Sequence, residues 1–416
     1  MQNQGIRDTN GKLKYRTFLD VLRTAIPSHI HRILTQKSMK FVRAIVVKKV
    51  IVASGITKMR KNIKEYRAYL SFLQSTFLAA FACFFALSVG ANSLLAAQNP
   101  SNPSTNKAQR TQGLQVRIGT QSIPSSHALA IAKGFVQEEF SKLGATAVIL
   151  NFDSGRDINN AFASKSIDLG FLGTTPFVIG ALNGIPISVI WVDFISHESE
   201  GLVVRKGTFN NINELKGQKI AVSFGTSAHY ALLQILNIHK ISTKEVTLLD
   251  LSPNDIFAAW ERGDINAACV WDLALSNLKN KTILFSDKDL ADKGIILSDI
   301  TAARNEFLEA YPEIASAYIK AVGRAYEYRI KEPQDSAKVL ARFFKIPERI
   351  AQEQLSEVKA KPLSIKEVQS DMFGNSANNL ANNLQSLAKF LYAQKLIRTL
   401  PDSQIFTRFL NASFLE

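Results

Sequence analysis

From residue 114 onward, short β-rich runs take turns with helical ones, and this alternation confines the chain to a narrow set of folds. Residues 114–120 (LQVRIGT) alternate as a strand, 125–143 have helical spacing, 145–152 (ATAVILNF) read as a second strand and 157–164 as a short helix. Strand, helix and strand follow over 168–172, 176–182 and 187–194. The pattern then restarts. Strands over 201–205, 219–224, 246–251, 267–271 and 282–286 are separated by helical stretches over 211–215, 229–239 and 254–262. After Arg304 the spacing is almost wholly helical, over 305–329, 333–344, 347–358, from 364 onward and over 377–395. Two such units in succession predict an α/β fold of two lobes. A ligand is expected between them, beyond the carboxyl ends of the strands.

Charge bears on what that ligand is not. The 50 Lys and Arg outnumber the 35 Asp and Glu, which suggests a phosphate-gripping surface until the excess is located. Residues 1–67 hold 16 basic and 3 acidic residues, whereas 68–416 hold 34 and 32. The body is therefore close to neutral, and a nucleic-acid partner is not expected.

The basic leader has its own explanation. Residues 68–106 carry no charge, 77–89 (FLAAFACFFALSV) are almost wholly apolar, and Val89-Gly90-Ala91 supplies small residues for cleavage. A positive segment, a short apolar core and a small-residue site read as an export signal over 59–91 and predict a periplasmic location. The competing reading is an anchor over 69–91, since about 20 apolar residues span a bilayer. Residues 1–58 form a basic extension that translation from Met59 would omit, and 92–113 a linker rich in Pro, Ser and Asn. With Cys83 inside the apolar core and Cys269 alone in the body, the mature chain has no disulfide partner to offer.

Four segments of the body then carry a resemblance. They are 152–155 (FDSG), 170–176 (GFLGTTP), 217–233 (GQKIAVSFGTSAHYALL) and 258–271 (AAWERGDINAACVW). In order and spacing they resemble the periplasmic solute-binding proteins of ABC transporters for taurine and aliphatic sulfonates, over about residues 114 to 400. The resemblance implies a type II periplasmic binding protein with two crossover segments, near 201–205 and 299–304. Lobe 1 would comprise 114–203 and 303–400, lobe 2 would comprise 204–302, and 401–416 would be a tail. It further implies a monomer that passes a sulfonate, taurine first among them, to an ABC permease and its ATPase. The same scaffold could instead take an alkanesulfonate, nitrate or a thiamine precursor.

The candidate ligand residues have physical reasons of their own. Phe224-Gly-Thr-Ser-Ala-His229 follows a strand and opens a helix, so Thr226, Ser227 and the free N–H groups of the first turn make an anion site. The same hydroxyls would serve equally as a plain helix cap. Thr174 and Thr175 before Pro176 repeat the design, and Ser154 and Gly155 offer a hydroxyl and a close backbone approach, or ordinary turn chemistry. Gln121 lies in a loop of the same kind. His229 is either a cation for a sulfonate or a neutral packing residue. Trp271 is expected to cover an alkyl chain, with Trp191 and Trp260 in the core. Asp299 aligns with the segment in which taurine binders carry an Asp facing the amine; the alternative is an exposed turn. No Gly-x-Gly-x-x-Gly, Walker, His-Glu-x-x-His or Gly-x-Ser-x-Gly pattern is present, so neither an enzyme, a cofactor nor a metal is expected.

Overall fold

The computed structural model describes residues 110–376 and 379–415. The expected signal or anchor, the basic extension and most of the linker lie outside them. Eleven strands build two sheets among the described residues. In the first, β1 (Gln115–Thr120), β2 (Thr146–Asn151), β3 (Leu169–Gly173), β4 (Ile187–Ser196), β10 (Ser298–Arg304) and β11 (Ala360–Pro362) run in the order β11-β4-β10-β3-β1-β2. In the second, β5 (Glu200–Arg205), β6 (Lys219–Val222), β7 (Thr247–Asp250), β8 (Ala267–Trp271) and β9 (Lys281–Ser286) run β7-β6-β8-β5-β9. Each has a parallel centre, β2-β1-β3 and β7-β6-β8, because helical crossovers return the chain in the same direction. These are the two α/β lobes that the alternation predicts.

The chain crosses from the first sheet to the second between Ser196 and Glu200, and returns between Ser286 and Ser298. Both crossings fall a few residues before the expected positions. Residues 201–203 thus pair wholly within the second sheet and 299–302 within the first. Strands on either side of a crossing are equally apolar, so periodicity carries no mark of the sheet to which each belongs. The two connections run side by side, with the Lys288 N–H donating to the His197 carbonyl at 2.7 Å and Ser196 N–H to Leu297 at 2.9 Å.

Two other expectations need correction. Residues 125–143 form two helices, Ser126–Ala132 and Phe135–Ser141, because Gly134 between them takes a left-handed φ of +78° that ends one and starts the other. Residues 401–415, expected as part of a C-terminal tail, pack onto the first sheet. Phe406 and Phe414 are buried, and the backbone at Phe409 and Asn411 hydrogen-bonds Val189 on β4. Burying those rings adds apolar contact that a polar-looking segment conceals.

Trp191 and Trp260 are both buried, and each indole N–H finds an acceptor, Asp193 Oδ1 at 3.3 Å and the Lys279 carbonyl at 2.8 Å. Cys269 is a buried free thiol in β8. Among the described residues no helix is long and apolar enough to cross a membrane.

Candidate functional site

A cleft lies between the lobes at the carboxyl ends of the parallel strands, enclosing about 560 Å³ with its open mouth included. Four helices begin at its wall: Ser126–Ala132 behind the Gln121 to Pro124 loop, Gly155–Ala163, Thr174–Leu182 and, from the second lobe, Ser227–Ile238. Parallel crossover topology dictates this convergence, since every β-to-α turn falls at the same edge of its sheet. Among the described residues no Lys or Arg lines the cleft. Positive potential there comes from first-turn N–H groups, each helix start carrying roughly half an elementary charge.

The lobes are in contact across this cleft. A methyl group placed on Gly173 would overlap the Ser227 hydroxyl, so the two helix starts face each other with no room between. Arg156 of the first lobe pairs with Asp250 of the second at 2.9 Å, and the Tyr230 and Phe390 rings meet edge to face at 5.4 Å.

Gln121, Gly155, Thr226, Ser227, Trp271 and Asp299 all line the cleft. Gln121 is fixed by donating its amide to the Phe171 carbonyl at 3.2 Å. Trp271 and Ser227 are half-buried, with their outer faces toward the cleft. Asp299 sits in β10 opposite Gly173 and Phe194, which removes the exposed-turn alternative.

The other expected contacts are placed differently. Ser154 is buried; its hydroxyl donates to Asp157 Oδ2 at 2.6 Å and accepts the Asp157 N–H, so it caps its own helix. Thr226 likewise spends its hydroxyl on the Ser223 carbonyl at 2.6 Å and the His229 N–H at 3.4 Å. Thr174 and Thr175 are buried in the first turn, and the Thr175 hydroxyl lacks a partner. His229 stands off the cleft. Its ring stacks on Phe224 with centroids 4.5 Å apart, Nδ1 accepts the Gly225 N–H, and burial pushes its pKa down to about 4. It is the neutral packing residue of the two alternatives, because charging it would forfeit solvation and that hydrogen bond.

Polar residues that the sequence does not single out complete the site. Glu200, Asp272, Ser196, Ser199 and Gln354 line the cleft at its hinge end. Asp272 is held by the Ser276 N–H and hydroxyl at 2.8 and 2.6 Å and by Lys359 at 3.3 Å. Burial, with the charge of Asp193 behind it, pushes Asp299 up to about 7. Burial also raises Glu200 well above the usual carboxylate range, helped by the charges of Asp287 and Asp299. The one available signal was position: Glu200 opens a strand that is otherwise apolar, where an unpaired carboxylate is costly.

Beneath the floor, His127 bridges the Tyr318 hydroxyl at 2.6 Å and Thr120 Oγ1 at 2.9 Å and stacks on Phe171, and burial pushes its pKa down to about 3. This satisfied network stiffens the first lobe under the ligand. Among the described residues no group of three or more His, Cys, Asp or Glu could hold a metal ion.

The cleft thus brings N–H donors and carboxyl groups together in one lining. Known proteins resemble this chain in sequence and in fold. The family described as NMT1/THI5 like matches residues 125–336. The taurine-binding periplasmic protein of Escherichia coli (strain K12) is 33% identical over 249 residues, 58% of this chain and 76% of that protein. Among solved structures, the alkanesulfonate-binding protein SsuA from Xanthomonas axonopodis pv. citri bound to MOPS superposes with a TM-score of 0.59 at 23% identity, covering 72% of this chain and 99% of that one. The periplasmic aliphatic sulphonate binding protein SsuA from Escherichia coli gives a TM-score of 0.58 at 20% identity, covering 71% and 97%.

Proposed function

The chain belongs to the NMT1/THI5-like family, and on that premise we propose that it is the extracytoplasmic solute-binding component of an ABC importer that takes up taurine. The observation that carries the reading is a cleft lined both by helix starts with Ser227 and by the carboxyls of Glu200 and Asp299. Taurine has the matching form, a sulfonate and an ammonium joined by two carbons. The 33% identity to a protein named for taurine binding supports the choice.

In this reading the sulfonate exchanges its water for first-turn N–H groups, each helix start favouring the anion by about 0.3 to 1 kcal/mol. The Gln121 amide and the Ser227 hydroxyl add donors, Trp271 covers the two carbons, and Asp299 pairs with the ammonium. A carboxyl in an anion cleft is hard to justify for a ligand that brings no cation. No bond is made or broken. The ligand draws the lobes together about the paired crossings, and the closed surface is what a permease with its ATPase recognises. Export through the leader delivers the protein to the periplasm, where it acts as a monomer.

Calorimetry with taurine, ethanesulfonate and nitrate tests this. Taurine should bind tightest, and Asp299→Asn should weaken taurine by at least about tenfold more than ethanesulfonate. Equal binding of taurine and ethanesulfonate to the unmodified protein would withdraw the amine role and leave a general sulfonate binder. Nitrate binding alone would replace the ligand class.

A further inference from the structure

Glu200 at the start of β5 and Asp299 on β10 line the cleft where the two interlobe connections run side by side, and Asp287, which opens the helix Asp287–Ala291, directly follows the strand that pairs with β5. Glu200 is only 5% exposed, faces the cleft, and among the described residues no N–H or O–H reaches its Oε1. Asp287 is 2% exposed; among the described residues no donor stands in hydrogen-bonding geometry at either oxygen, and the Ser196 hydroxyl only partly offsets its burial. Asp272 at the same end differs, having Ser276 and Lys359 as partners. Gly201 pairs with Ser286 across the second sheet, which sets Glu200 and Asp287 side by side at the strand ends, and two carboxyls so placed attract only with a proton between them.

The surroundings offer little compensation. Asp193 on β4 adds another acid, with Oδ1 already taken by the His127 N–H and Trp191 indole. Cys269 on β8 is a buried thiol that the same charges push up. Of the nearby cations, Lys359 belongs to Asp272, and Arg329 donates to the Leu355 carbonyl and faces Asp193. On the neighbouring helix Ser227–Ile238, His229 is neutral and Tyr230 stays protonated. On its own helix, Asp289 turns back to cap Ser286, and Lys288 points to solvent.

We propose that Glu200, Asp287 and Asp299 form a proton-exchanging site for the ammonium end of an aminosulfonate: empty, the cluster holds protons, and the entering ammonium sends one to solvent. This rests on the sulfonate reading of the cleft. The balance is complete: a carboxylic acid loses H⁺ to water, its carboxylate pairs with the ammonium, and no covalent bond to the ligand changes. All three groups are raised by burial first; the charges of Asp287 and Asp299 then raise Glu200, that of Asp299 raises Asp287, and that of Asp193 raises Asp299. A plain sulfonate has nothing to displace them with. The proposal therefore separates the two ligands by proton count as well as by affinity.

Calorimetric titration of the full chain at about pH 6, in two buffers of different ionisation enthalpy, reads this directly. Taurine should show a buffer-dependent heat equal to about one proton released, and ethanesulfonate none. Taurine affinity should rise by up to about tenfold per pH unit toward pH 8, with ethanesulfonate flat. Glu200→Gln and Asp287→Asn, each checked for folding by circular dichroism, should reduce the proton count and weaken taurine selectively. A buffer-independent taurine heat, or equal release with ethanesulfonate, overturns the exchange while leaving the sulfonate reading intact. Ethanesulfonate binding without taurine binding overturns the cation site, and failure of both ligands overturns both readings.

Discussion

Arg156 and Asp250 clasp the cleft mouth: the guanidinium Nη1 of the first lobe lies 2.9 and 3.2 Å from the two carboxylate oxygens of the second. Asp250 is positioned by accepting the Phe224 N–H at 2.9 Å, so the clasp is tied to the loop that opens the helix Ser227–Ile238. Both side chains are about two-fifths exposed, which limits the pair to a fraction of a kcal/mol. Arg156→Ala should leave the denaturation midpoint nearly unchanged and raise the ligand dissociation rate about two- to fivefold, less so in high salt. Stopped-flow release measured at two ionic strengths checks this, and a salt-independent change would contradict it.

Gly173 offers a cleaner probe of closure. Its backbone lies at φ −68°, which alanine accepts, but the added methyl would collide with Ser227 Oγ across the cleft. Gly173→Ala should keep the melting temperature of the empty protein and lose about tenfold or more in affinity, because either the lobes stay apart or the hydroxyl turns away. An affinity equal to that of the unmodified protein would show that the lobes need not meet here.

At the hinge end, Lys359 and Asp272 are a buried ion pair between the lobes, 9% and 1% exposed. Lys359→Met strands the carboxylate and should cost about 3 kcal/mol in urea denaturation. Adding Asp272→Asn to that variant should recover part of the loss. A double variant no more stable than the single one would mean that charge imbalance is not the cause.

Protonation should also shape stability. For Asp299, Glu200 and Asp287 the folded state binds more protons than the unfolded chain above the ordinary carboxylate range, so they lower stability as pH rises. His127 and His229, held down to about 3 and about 4, do the reverse below 6.5, where the unfolded chain binds the extra protons. Above 6.5 only the acids remain in play. The melting temperature of the ligand-free protein should fall from about pH 6.5 to about pH 8, and Glu200→Gln should flatten that fall.

Local elements were legible because each leaves a periodic trace. The capping residue Thr226 before the helix Ser227–Ile238, and the alternating apolar positions of β1, need no partner to be seen. Candidate contacts that ride on such elements, Ser227 and Gly155 among them, came with them to the cleft. Hydroxyls were read less well, since Ser154 and Thr226 carry the same signal whether they cap a helix or hold a ligand. Glu200 and Asp287 were invisible for a different reason. They lie far apart in sequence and become a pair only where two separate crossings are brought side by side.

That crossing geometry divides the labour of recognition. The helix starts are backbone, present in any chain that threads these sheets, so the preference for an anion is inherited with the topology and survives substitution of the hydroxyls. The proposed cation preference is written instead in a few acidic side chains at or beside the connections. Editing those positions would retune the cargo without rebuilding the scaffold, and because they sit on the moving joint, the group that selects the cargo also senses whether the joint has bent.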